Sequence, residues 1–142
     1  MTAKATAFQE RFSLHFTNPA LLLEALRASG VTDSEGNKGL ALIGDTGLQF
    51  ALQVEGRERH ASRERVNQVI SETAGNANLA RRGFALGLEQ YIRNNPSQGT
   101  YFSDRLMAST MEAIVGAYFE DQARDFVALQ RVVATLGLSW PE

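Results

Sequence analysis

Between Leu106 and Phe119 the chain is apolar almost all round, with Glu112 as its only charged side chain. A stretch of that length without a polar face is buried on every side, so it reads as a central helix around which the other elements pack. A second long apolar segment, Leu40 to Leu52, has Asp45 as its only charged side chain. Strict alternation fails there, whereas Leu40, Ile43, Gly47, Ala51 and Val54 fall on one helical stripe. The segment is therefore a helix, although Gly44 and Gly47 cost about 1 kcal/mol each, and those glycines imply close packing. Asp45 and Glu112 both look buried. An unpaired buried charge costs several kcal/mol, so each acid must be hydrogen-bonded, paired with a cation, protonated or bound to a metal. The two are expected to answer each other. Periodicity leaves open whether they form a site or are ordinary polar residues facing Arg, Lys or backbone donors across a helix interface.

The remaining segments are also helical. Thr17-Asn18-Pro19 ahead of Ala20 to Leu26 is a capped start with Pro near the first turn, and Gly30 supplies the stop. A shorter helix precedes it, around Phe8 to Phe12. Thr32 to Gly39 is a polar loop. Ser62 to Thr73 places Val66, Val69, Ile70 and Thr73 on one face. Asn78 to Leu86 forms another helix, ended by Gly87, and Asn94 to Gly99 is a turn region. Phe126, Leu129, Val133 and Leu136 mark a last amphipathic helix before Gly137. No segment alternates as a strand. The fold class is all-α, a helical bundle around a central buried helix, and 142 residues accommodate one domain, 1–142.

Composition narrows the function classes. With 44% hydrophobic and 21% charged residues, the chain is not disordered, collagenous or membrane-spanning. It has no Cys, which excludes disulfides, thiolate metal sites and Cys nucleophiles and suits an intracellular compartment. Met1 to Ala7 lacks the features of a signal peptide or mitochondrial presequence. Cytoplasm, nucleus and mitochondrion are not distinguished. A formal charge of −2 means that any RNA binding is local. Arg57, Arg59, His60, Arg63 and Arg65 crowd one segment, interleaved with Glu55, Glu58 and Glu64, and read as a solvated, salt-bridged helix face. Arg81-Arg82 is a second basic spot. His15 and His60 match no metal-ligand spacing, Asp33 and Glu35 are loop acids, and Trp140 is expected to cap the last helix.

Leu40-Ala41-Leu42-Ile43-Gly44-Asp45-Thr46-Gly47-Leu48 resembles the signature helix of the ribonuclease III endonuclease domain, usually written ERLEFLGDAVL. Met107 to Asp121, which reads MASTMEAIVGAYFED, resembles the family's second signature, LADTFEALIGAIYLD. Phe16 to Leu26 is similar to its opening, FKDPELLLEAL, and Asn76 to Leu88 to its SNETLAEIARKLGL. The matches fall in the family's order from about Phe16 to Asp121. The stretch from Gly36 to Asp45 is most similar to divergent fungal members.

The resemblance implies a dimer with the signature helix at its two-fold interface, acting on double-stranded RNA with Mg²⁺ held by four carboxylates per domain. These come as two same-face pairs, four and three residues apart. Here the first pair is Ala41 and Asp45 and the second is Ser109 and Glu112, so each helix lacks one acid. Lys38 stands where the first Glu of the signature would be, a reversal of charge that makes it a candidate substitute for the metal.

Mg²⁺ wants octahedral oxygen ligation, so Asp45 and Glu112 can hold one ion only weakly, and two ions are undersupplied. The expected function is a pseudo-nuclease, a non-catalytic dimer acting in RNA processing or association. The alternatives are a weakly active Mg²⁺-dependent double-stranded-RNA endonuclease and a ribosome-associated module. A homodimer is expected, with a heterodimer with an active paralogue also open. RNA binding is weak, no membrane is involved, and no double-stranded-RNA-binding domain is expected.

Overall fold

Polar residues at segment boundaries set where most helices begin. The computed structural model describes residues 2–28, 35–94 and 101–142. They form α1 (Ala3–Phe12), α2 (Pro19–Ala25), α3 (Lys38–Glu58), α4 (Arg63–Thr73), α5 (Asn76–Ala85), α6 (Asp104–Asp121) and α7 (Phe126–Thr135), with a 3₁₀ turn at Leu88–Gln90. Thr2, Asn18, Ser62, Ser103 and Asp125 cap α1, α2, α4, α6 and α7, each side chain accepting a backbone N–H two or three residues on. Gly87, at φ +70°, ends the α5 region in the left-handed conformation that glycine adopts without strain. Among the described residues the only β pairing is an isolated bridge between Arg27 and Arg93.

Helix α6 is the hub, as its sequence requires: Met107, Ala108, Thr110, Met111 and every residue from Ala113 to Tyr118 are buried. Helices α2, α3, α5 and α7 pack around it. The crossing with α3 is backbone to backbone. A Cβ on Gly44 would collide with the Glu112 carbonyl, and one on Gly116 with the Leu40 carbonyl. Any larger residue at either position forces the two helices apart. Phe8 and Phe12 of α1 meet Tyr91 edge to face, at centroid distances of 5.6 and 6.0 Å.

Several expectations need correction. Helix α1 starts at Ala3 and α3 continues to Glu58, well past Leu52. The buried face of α3 is Leu40, Ala41, Gly44, Leu48, Ala51, Leu52 and Gly56, not the stripe through Ile43, Gly47 and Val54. The small residues at 41 and 44 admit the α6 backbone, so the crossing rather than side-chain bulk selects the face. The basic segment is not one helix face. It spans the end of α3, a turn with His60 at φ 58° and the start of α4. Trp140 is buried, with its ring against Gly56 of α3 beside Val66 of α4. Gly30, Asp33 and Asn95 to Gly99 lie outside the described residues.

Candidate functional site

The glycine crossing sets the geometry at the two acids. Asp45 follows Gly44 on α3, and the Gly44 Cα faces the main chain of Glu112 on α6, so the two carboxyl groups emerge side by side at the seam. They share a hydrogen bond, and Gln49 Nε2, one turn along α3, donates to Asp45 Oδ1 at 3.2 Å. Burial, the hydrogen bond to Asp45 and the Asp45 charge together push the Glu112 carboxyl up to about 8. Near neutral pH Glu112 therefore holds its proton and donates it to Asp45. Both side chains are half-buried at the seam, not sealed in the core as the apolar surroundings of the sequence suggest.

The neighbouring positions add no charge. Ala41, one turn before Asp45, is buried and presents a methyl group. Ser109, one turn before Glu112, is half-buried, and its hydroxyl is neutral. Lys38 is exposed at the first residue of α3. Glu35 is exposed just ahead of α3, and Asp33 lies outside the described residues. His15 lies in the α1–α2 connection and His60 in the α3–α4 turn, both exposed. Among the described residues no three metal-ligating side chains come together. Two carboxyls beside an alanine and a serine supply fewer anionic donors than a two-ion magnesium centre takes, and in that respect the residues present do not fit one.

Two supports of this seam were not visible in the sequence. Asn37, in a stretch that reads as polar loop, is buried, and its Nδ2 donates to Ala25 O (2.8 Å) and Thr110 Oγ1 (3.2 Å). It ties the end of α2 and the start of α3 to α6, next to Ser109. Asp121, at the far end of α6, accepts the backbone N–H groups of Thr17 (2.9 Å) and Asn18 (2.7 Å), fixing the entry to α2. Asn37 stands where a capping residue is expected, but its side chain makes no cap bond, so nothing local marks either contact.

No family model matches the chain. It is similar to ribonuclease 3 of Xylella fastidiosa strain M12, with 27% identity over 126 residues, covering 85% of this chain and 55% of that protein. It is also similar to ribonuclease 3 of Pseudomonas aeruginosa strain LESB58, with 32% identity over 111 residues, covering 71% of this chain and 46% of that protein. The nuclease domain of ribonuclease III from Campylobacter jejuni superposes with a TM-score of 0.81 at 17% identity, covering 95% of each chain. The chain belongs to the ribonuclease III nuclease-domain family. A second Campylobacter jejuni structure, described as flexible in a region involved in dimer formation, superposes equally well over 99% of each chain. The family resemblance and the all-α expectation thus agree with the comparisons and the fold. This ribonuclease III-like chain spans about half the length of the curated relatives it matches.

Proposed function

We propose that this domain is a pseudo-nuclease of the ribonuclease III family, a two-fold dimer that keeps the scaffold and no longer cleaves double-stranded RNA. The observation that carries the reading is the side-chain set at the α3–α6 seam, where Asp45 and Glu112 are flanked one turn away by Ala41 and Ser109, neither of which offers an anionic ligand. Hydrolysis at a magnesium centre depends on a full, correctly placed set of anionic ligands, and small misplacements alone cost about 10²-fold in rate. Half that set is missing here.

Association is supported by a different surface. Leu42 is 74% exposed and Phe50 51% exposed on the outer face of α3. With Ile43, Phe119, Phe126 and Leu129 they line an apolar cleft of about 520 Å³. Contiguous apolar surface of this kind marks an interaction site, and a second copy of the chain is the partner that two-fold closure supplies. The Campylobacter jejuni domain is described as forming dimers.

The test is incubation of purified protein with long double-stranded RNA and Mg²⁺ or Mn²⁺. No cleavage above background is expected. Cleavage that disappears in both Asp45→Asn and Glu112→Gln would make the domain an active nuclease with two carboxylates and would end this reading.

A further inference from the structure

The basic segment at the α3–α4 corner divides into two sets of side chains. Arg59 and Arg65 are committed to the fold. Arg59 pairs with Glu55 at 3.0 Å, Arg65 pairs with Glu142, and both guanidinium groups lie 6.0 Å from the Trp140 ring. Arg57 and Arg63 form no ion pair among the described residues, and with His60 they line a separate cleft of about 680 Å³. Its other walls are Gln53, Asn67, Ala61 and Val66. Among the described residues no carboxylate lines it: Glu58 and Glu64 are exposed neighbours in sequence that stay outside the lining.

Arg57 and Arg63 sit in different electrostatic settings. Arg57, in the last turn of α3, offsets the negative end of that helix and needs no ligand to account for it. Arg63 is the first residue of α4, where the helix end is positive and a cation is disfavoured. A cation held there without a carboxylate partner among the described residues, facing a cleft with a second guanidinium, creates a positive concavity on a molecule whose net charge is −2.

We propose that this cleft binds a phosphate group carried on a mononucleotide-sized ligand. Arg57 and Arg63 grip the phosphate oxygens through paired N–H donors. Gln53, Asn67 and His60 supply further polar contacts, and Ala61 and Val66 form a small apolar floor for a ring or sugar face. The volume lies within the range of small-ligand clefts and is larger than a lone phosphate needs. The shared chemistry covers a free nucleotide and a phosphorylated RNA end. The site uses neither Asp45 nor Glu112, so it stands or falls independently of the proposed loss of cleavage.

The experiment is titration of the intact protein, followed by calorimetry and amide chemical shifts, with inorganic phosphate, AMP, and a short single-stranded RNA with a 5′-phosphate or a 5′-hydroxyl. Saturable, salt-sensitive binding of AMP or of the 5′-phosphorylated RNA is expected, with shifts at the α3–α4 corner. Arg57→Gln with Arg63→Gln should weaken it about tenfold or more, as loss of two charge-assisted contacts requires. The control Arg59→Gln should leave the affinity within about twofold. AMP binding as tightly as the RNA marks a free nucleotide as the ligand; preference for the 5′-phosphorylated RNA over both AMP and the 5′-hydroxyl RNA marks the RNA end. The proposal is overturned by no saturable binding of any phosphate ligand, by equal affinity in the double variant, or by an acidic peptide binding more tightly than AMP. Both arginines are exposed, so melting curves should show the variants folded, and a failure to bind reports on the site.

Discussion

Glu112 makes the seam between α3 and α6 sensitive to protons. Its carboxyl titrates at about 8 in the fold against 4.5 for the ordinary group, so between those values the folded protein binds more protons than the unfolded chain. Stability contributed by the neutral form is complete below the unfolded value and is lost as pH rises through about 8. The melting temperature should therefore fall between about pH 5 and about pH 8, and Glu112→Gln, which keeps a neutral donor toward Asp45, should flatten that slope. A variant as steep as the wild type would place the sensitivity elsewhere. Adding acids at the two neighbouring positions gives the converse test of the proposed loss. Ala41→Glu with Ser109→Asp puts four carboxyls at one seam, where like charges repel. The double variant should melt lower than the wild type in chelator and regain stability when Mg²⁺ or Mn²⁺ is added, as preferential binding to the folded state requires. Because Ala41 is buried, a melting temperature indifferent to metal would mean that the longer side chain turns away from the seam. That Asp45 and Glu112 meet followed from their isolation in apolar segments. That one keeps its proton depends on distance and burial, which no spacing rule contains.

At the level of the helices, the close crossing of α3 and α6 predicts sharply different outcomes for glycines five residues apart. Gly44→Ala forces a methyl group into the Glu112 carbonyl and should destabilise the fold by about 3 kcal/mol or more, since backbone has little room to relax. Gly39→Ala meets nothing within 4 Å and should stabilise by about 0.5 kcal/mol through helix propensity alone. Thermal or urea unfolding of the two variants checks the pair. Helix starts were legible because caps are local chemistry: Asn18-Pro19 and Ser62 act within one turn. The buried face of α3 was not. A hydrophobicity stripe rewards Ile43 and Val54, whereas the packing selects Ala41 and Gly44, whose value lies in what they leave out. The α3–α4 turn was hidden for a related reason: His60 enters the left-handed region inside a run of charged residues that carries neither Gly nor Pro.

For the molecule as a whole, the exposed Leu42 and Phe50 predict its state of association. Wild-type protein at tens of micromolar, order of magnitude, should scatter light as a dimer, and Leu42→Asp with Phe50→Glu should yield a monomer with unchanged helical content. A wild-type monomer of 15.6 kDa would remove the basis for the dimer. The apolar character of Leu42 and Phe50 was plain in the sequence; their outward orientation followed only once the crossing with α6 had fixed the rotation of α3.

Trp140 is the chain's only tryptophan and is 7% exposed. Its ring touches the position of Gly56 on α3 and Val66 on α4, and its Nε1 donates to Glu142. Indole fluorescence therefore has a single source, placed at the corner that carries the basic segment and in the stretch that follows α7. Excited selectively over the tyrosines, the emission should be blue-shifted in the native protein and move to the red when that stretch detaches, even while the helices around α6 remain folded. Detachment of the stretch after α7 and global unfolding can thus be told apart by comparing the indole signal with circular dichroism.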